Sequence, residues 1–161
     1  QQYRYKYGEP VPMEQLVKQL CNYKQQYTQF GGLRPFGVAF VFAGWDKNNG
    51  YQLYQSDPSG NYSGWRATVI GQNSQAGKSI LKTDYKENSS LSDNLKLAVK
   101  ILLKTMDATA PSPERIDLTE MKRDSVTGEL VHVTVPDDIV QSLIDQCQKD
   151  DEAENKSSGD I

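Results

Sequence analysis

Between Phe36 and Trp45 the chain alternates with a period of two, and both sides of the alternation are apolar. Phe36, Val38, Phe40 and Phe42 point one way, and Ala39, Val41 and Ala43 the other. A strand of this kind expects cover on both faces. Before it the period is helical. Met13, Leu16, Val17, Leu20 and Tyr27 share a stripe, with Cys21 alongside, and Gly31-Gly32 stops the helix. Residues 1–8 read as the end of an earlier helix, closed by Gly8 and Pro10. Pro12 suits the first turn of the helix that follows.

After the first strand come two turns and two further strands. Asp46–Gly50 is a turn in which Asn49-Gly50 can supply positive φ. Tyr51–Ser56 is the second strand. Asp57-Pro58-Ser59-Gly60 has the residues of a type I turn in their preferred places. Trp65–Ile70 is the expected third strand, and Gly71 ends it. Asn73 or Ser74 can cap the next helix, whose inner face holds Ala76, Ile80 and Leu81. Lys86–Ser89 is a polar loop. Ser90 and Asp93 resemble a capping box, and Leu91, Leu95, Ala98, Val99, Leu102, Leu103 and Met106 form the cleanest amphipathic stripe. Pro111 and Pro113 break that helix. Arg115–Lys122 and Leu130–Val135 read as a hairpin, with Val131, Val133 and Val135 on one face. Pro136-Asp137 opens a last helix with Ile139, Val140, Leu143, Ile144 and Cys147 inward.

The order is thus two helices, three strands, two helices, two strands and a helix. Paired amphipathic helices around doubly covered strands predict helix layers flanking two stacked sheets. The length of 161 residues suits a single domain. It is expected over 1–149, with an acidic, flexible tail over 150–161. Apolar residues make up 37% and charged residues 24%, which is polar, but the apolar positions are clustered enough for a core. A net charge of −3 argues against a nucleic-acid partner. No apolar run approaches the ~18 residues needed to cross a bilayer, and QQYRYKYGEP lacks the regions of a signal peptide. Cys21 and Cys147 both fall on apolar helical stripes and are read as buried free thiols.

Candidate chemistry is sparse. Gly71–Ser79, GQNSQAGKS, approaches a phosphate-binding loop, but five residues separate its glycines where four are required. A plain strand-to-helix turn is the expectation. The single histidine, His132, lies opposite the valines of its strand, and no G-x-S-x-G elbow exists to supply it with a serine. Ser59 and Ser63 are explained by the turn and strand that hold them. One histidine and two distant cysteines give no zinc spacing, so no metal or cofactor is expected. The aromatics Trp45, Tyr51, Tyr54, Tyr62 and Trp65 gather around the two turns. Cross-strand pairing accounts for them better than a ligand platform, though aromatics at sheet ends also suit subunit contacts.

The run GGLRPFGVAFVFAGWD (Gly31–Asp46), then YQLYQSDPSGNYSGWRATVIG (Tyr51–Gly71), then Asn73-Ser74, resembles the α-type subunits of the 20S proteasome core particle. The residues that carry the likeness are Arg34, Pro35, Phe36, Gly37, Asp57, Pro58, Ser59, Gly60, Tyr62, Trp65, Gly71, Asn73 and Ser74. The flanking words YTQFGG and LKTDYKE point to one branch of that family. The likeness weakens outward but extends to about Lys149. It implies an αββα four-layer sandwich of the N-terminal nucleophile hydrolase type. It also implies a non-catalytic structural role in the α ring, supporting assembly, gating and activator docking during ubiquitin-dependent protein degradation. The implied partners are neighbouring α subunits, β subunits and the proteasome activators or regulatory particle, in the cytoplasm and nucleus. The family's opening Tyr-Asp motif, long outer helix and early strands find no counterpart here, so the sandwich is expected to be incomplete at its N-terminus. Catalytic β-type relatives use an N-terminal threonine on a first strand, whereas Gln1 sits on a helix. An active N-terminal nucleophile peptidase and a P-loop-like nucleotide-binding protein are the alternatives.

Overall fold

The computed structural model describes residues 1–106 and 111–158. The chain is of mixed α+β class and divides into two compact units, Gln1–Ile70 and Gly71–Ile161.

In the first unit, the short helix α1 (Gln2–Tyr7) ends at Gly8, whose left-handed backbone lets its N–H reach the Arg4 carbonyl. Helix α2 (Met13–Gln29) buries Met13, Val17, Cys21 and Lys24, a stripe spaced four, four and three residues apart. Leu16, expected on that stripe, is 44% exposed. Strands β1 (Phe40–Asp46), β2 (Gly50–Ser56) and β3 (Tyr62–Gly64) form an antiparallel sheet in the order β1-β2-β3. Phe42 faces Tyr54, and Ser56 faces Tyr62. Phe42, Tyr54 and Tyr62 pack against Met13, Val17 and Cys21 of α2.

Two strand boundaries differ from expectation. The first strand begins at Phe40, not Phe36. Phe40 pairs with Ser56, the last residue of β2, so residues 36–39 have no neighbouring strand to bond. The third strand is Tyr62–Gly64, not Trp65–Ile70. The tight Asp57–Gly60 turn returns the chain at once, and pairing starts with Tyr62 opposite Ser56. Trp65 adds one bond, its N–H to the Leu53 carbonyl at 2.9 Å, and the ladder ends there. Among the described residues, α2 covers one face of the sheet and the second expected cover is not seen. Alternation puts Val41, Ala43 and Tyr51 on the sheet face away from Phe42 and Tyr54, and Val41 and Tyr51 are 41% and 57% exposed.

The second unit holds α3 (Ser74–Asp84), α4 (Leu91–Thr105), a 3-10 turn (Pro113–Arg115), the hairpin β4 (Thr119–Arg123) and β5 (Leu130–Thr134), and α5 (Asp137–Ser158). Its core is Val99, Ile116, Leu118, Val135, Val140, Leu143, Ile144 and Cys147, flanked by Leu95, Leu102, Leu103 and Met106. Ser90 caps α4 as expected: its Oγ accepts the Asp93 N–H at 3.1 Å. The Ser90 hydroxyl also donates to the Asp93 carboxylate at 2.7 Å, so the box closes on a side chain rather than on the backbone. The hairpin's first arm starts at Thr119 instead of Arg115, because Pro113–Arg115 is helical and Ile116 and Leu118 enter the core. Three inward expectations are corrected: Ala76, Leu91 and Ile139 are exposed. On α3 it is Gly77 that is buried. The stretch expected to be a flexible tail continues α5 as far as Ser158. Residues 159–161 of that expected tail lie outside the described residues.

Candidate assembly site around the three-stranded sheet

In the first unit, Asp57 and Gly60 of the run that carries the resemblance, with Asp46, fix the turns of the sheet and join it to α2. Asp57 organises the β2–β3 turn. The Gly60 N–H reaches its carbonyl at 3.2 Å. Its Oδ1 accepts the Ser59 hydroxyl at 2.5 Å and the Ser59 and Asn61 N–H groups at 2.8 and 3.2 Å. The Ser59 hydroxyl, followed by these backbone N–H bonds, holds the Asp57 carboxyl below the usual carboxylate range. Gly60 is required twice over. Its φ is +92°, and a Cβ there would run into the Cys21 carbonyl oxygen and lie 3.0 Å from the Gln25 backbone nitrogen. The turn is therefore pressed against the middle of α2.

Asp46 does the same work at the other turn. Its Oδ1 accepts the Asn48 and Asn49 N–H groups at 2.9 and 2.8 Å. Its Oδ2 accepts the Gln52 side-chain amide at 2.6 Å and the Met13 N–H at 3.2 Å. The residue before α2 is Pro12, which makes no side-chain cap. Asp46 thus satisfies an orphan donor at the start of α2 from another element. The Asn49 N–H leads the bonds that hold its carboxyl below the ordinary value.

Beside the β2–β3 turn sits Lys24, 1% exposed. Its ammonium donates to Ser56 Oγ at 3.1 Å and lies 4.9 Å from the centre of the Phe40 ring. These contacts compensate part of the desolvation of a buried cation. Lys24 and Asp46 were not singled out by the sequence reading. Lys24 extends the Met13–Val17–Cys21 stripe by three residues, which is the signal that identifies it. The turn role of Asp46 is local, but its link to α2 depends on a bond across 33 residues and leaves no local signal.

The remaining motif residues take varied places. Arg34, Pro35, Phe36 and Gly37 precede β1, and the Phe36 ring packs 4.7 Å from that of Tyr27 and 6.0 Å from that of Tyr23. Pro58 and Ser59 occupy the exposed corner of the turn. The Tyr62 ring meets that of Tyr54 edge-on at 6.1 Å. Trp65 is 47% exposed. Gly71, Asn73 and Ser74 belong to the second unit. Asn73 stands at the cap position of α3 but does not cap. Its φ is +57°, and its side chain donates to the Thr105 carbonyl at 2.9 Å. Ser74 is the first residue of α3.

No catalytic arrangement forms from the expected candidates. The Gly71–Ser79 loop does not make a phosphate nest, because α3 starts at Ser74 and the Gly77 N–H is committed to the Asn73 carbonyl at 3.2 Å. His132 is exposed on β5 opposite Met121. Four of the five turn aromatics split between the two sheet faces, and Trp65 lies just past the end of β3. Tyr54 and Tyr62 pack toward α2, while Trp45 and Tyr51 form a cross-strand pair on the other side. Both cysteines are buried free thiols, and burial pushes each above its ordinary pKa. Among the described residues no group of three or more His, Cys, Asp or Glu could hold a metal ion.

A family model described as "Proteasome subunit" matches residues 1–121, and the chain belongs to that family. Within it, the chain is similar to subunits of α type 4. It is 51% identical over 144 residues to proteasome subunit alpha type-4-A of Arabidopsis thaliana, covering 89% of this chain and 58% of that protein. It is 61% identical over 121 residues to proteasome subunit alpha type-4 of Spinacia oleracea, covering 75% of this chain and 48% of that one. A third relative, alpha type-4 of Petunia hybrida, is 56% identical over 121 residues, 75% of this chain and 49% of its own. The chain spans about half the length of the curated relatives it matches.

Proposed function

We propose that this chain acts as a non-catalytic structural subunit of the α ring of the proteasome core particle. The observation that carries the reading is the 51% identity, over 89% of the chain, to a subunit named alpha type-4. Local geometry supports it. The carboxylates, hydroxyls and glycine of the family-specific run are engaged in holding turns and in joining α2 to the sheet. The work of the chain is then assembly. It contacts two α neighbours and the β ring beneath, and helps to form the gated surface where activators and the regulatory particle dock for ubiquitin-dependent degradation.

On this reading the exposed face bearing Val41, Ala43 and Tyr51 is the inner face of an αββα sandwich of the N-terminal nucleophile hydrolase type. A second sheet covers it. The sandwich domain occupies residues 1–149, with the acidic 150–161 outside it, and the chain works in the cytoplasm and nucleus without a cofactor. No described helix is long and apolar enough to cross a membrane. Affinity purification of the tagged chain from cells that make it, followed by mass spectrometry, tests the proposal. Other α and β subunits are expected in near-equal amounts. Recovery of the chain without them overturns it.

A further inference from the structure

The apolar stripe of α5 stops at Cys147. Among the described residues beyond it, Gln148, Lys149, Asp150, Glu152 and Ala153 are exposed and Asp151 is half-buried. Two ion pairs fasten this end of the helix to α4. Lys96 Nζ lies 2.5 Å from Asp150 Oδ2, and Lys104 Nζ lies 3.2 Å from Asp151 Oδ1. All four side chains are between 38% and 59% exposed, so salt reaches and screens both pairs. Lys100, between the two lysines on α4, points its ammonium to Asp84 of α3 at 2.8 Å.

Beneath the pairs lies Cys147, which is buried and whose thiol is 3.6 Å from the Lys96 carbonyl oxygen. Cys147, Lys96, Asp150 and Asp151 line one cleft of about 200 Å3, together with Asp93, Leu97 and Lys100. Three of the groups that line the cleft beside the thiol, Lys96, Asp150 and Asp151, therefore also make the exposed ion pairs. We propose that the acidic end of α5 is a charge-held latch: closed by Lys96–Asp150 and Lys104–Asp151, it seals the α4–α5 cleft, and when the pairs are screened or outcompeted it lifts and opens Cys147 to solvent. A basic partner surface that takes up Asp150 and Asp151 would open it in the same way. Burial raises the Cys147 pKa, which keeps the thiol unreactive while the latch is closed.

Cys21, on the buried face of α2 in the other unit, is a built-in control. The test is alkylation of the full chain by iodoacetamide, a neutral reagent, at fixed pH. Peptide mass spectrometry follows the two cysteines separately. Raising sodium chloride from about 0.02 M to about 0.5 M, which shortens the screening length several-fold, is expected to speed Cys147 alkylation at least roughly threefold and leave Cys21 unchanged. The double variant Lys96→Gln/Lys104→Gln is expected to react fast already at low salt, with little further response. Lys96→Arg/Lys104→Arg is expected to behave like the parent. A Cys147 rate that ignores salt in the parent chain overturns the latch, as does a salt response shared equally by Cys21. If the glutamine variant unfolds, its helical circular dichroism reports it, and the salt response of the parent chain decides.

Discussion

The two units bury their helices differently. In Gly71–Ile161, α4, α5 and the segment leading into β4 close on eight buried side chains, none of them charged. In Gln1–Ile70, the buried set under α2 is Met13, Val17 and Cys21, joined by the polar Lys24 and Ser56. The sheet there keeps Val41 and Tyr51 in solvent. Yet this first unit carries most of the run that identifies the family. The contrast separates two things that are easily confused. The second unit stabilises itself by apolar burial. The first is defined by turns and close approaches, in which single polar groups or a missing Cβ hold α2 against the sheet. A unit of that kind reads clearly in sequence.

The sharpest way to break the comparison is Gly60→Val. Positive φ and collision with the α2 backbone should together cost about 3 kcal/mol or more. Both tryptophans, Trp45 and Trp65, lie in the first unit. Their fluorescence during urea unfolding should therefore record the loss. Next comes Ile144→Ala in the second unit, expected to cost about 2–4 kcal/mol as a cavity in a packed core. Helical circular dichroism should shift while the tryptophan midpoint stays in place. If the tryptophan midpoint moves with Ile144→Ala, the two units unfold as one and the contrast fails.

Lys24 sharpens the comparison at a smaller scale. Lys24→Ala should cost about 2 kcal/mol, because the Ser56 hydroxyl loses its partner and the stem leaves a gap. Lys24→Met keeps the packing and removes the buried charge. It is expected to lie within about 1 kcal/mol of the parent chain. A Met variant as damaged as the Ala variant would show that the ammonium, rather than its stem, holds the sheet to α2. Acid gives the smallest effect. Asp46 and Asp57 have lowered carboxyl pKa values, from the Asn49 N–H and the Ser59 hydroxyl first. Their contribution is complete above the unfolded value near 3.8 and is lost as pH falls through the lower folded values. Tryptophan-detected stability should decline below about pH 4, and Asp57→Asn should flatten that decline. Asp124 is held down by the Thr127 and Val126 N–H groups in the second unit's hairpin, so a smaller acid response is expected there as well.

What was legible in the sequence follows how local each cause is. The Asp57–Gly60 turn, the Ser90 cap and the α5 stripe of Val140, Leu143, Ile144 and Cys147 depend on residues within a few positions of one another, and they appear where the pattern puts them. Strand ends depend on a partner. Residues 36–39 alternate like a strand but reach past the end of β2, and Trp65–Ile70 have the composition of a strand while Tyr62–Gly64 take the pairing. Asn73 has the right residue type for a cap, but the Thr105 carbonyl, 32 residues away, claims its side chain. The acidic run after Lys149 reads as a tail because its composition lacks apolar residues. The lysines of α4 that pair with it lie some 50 residues earlier in sequence, beyond the reach of composition. The candidate site was legible as family wording, and its physical content, Lys24 and Asp46 joining α2 to the sheet, was not.

The central proposal is that this chain assembles with other proteasome subunits. Size-exclusion chromatography of native cell extract, with the chain followed by antibody, tests it most directly. The account predicts that the chain elutes with a particle of hundreds of kilodaltons that contains other proteasome subunits. A stable, folded monomer, never found in such a particle, would contradict it.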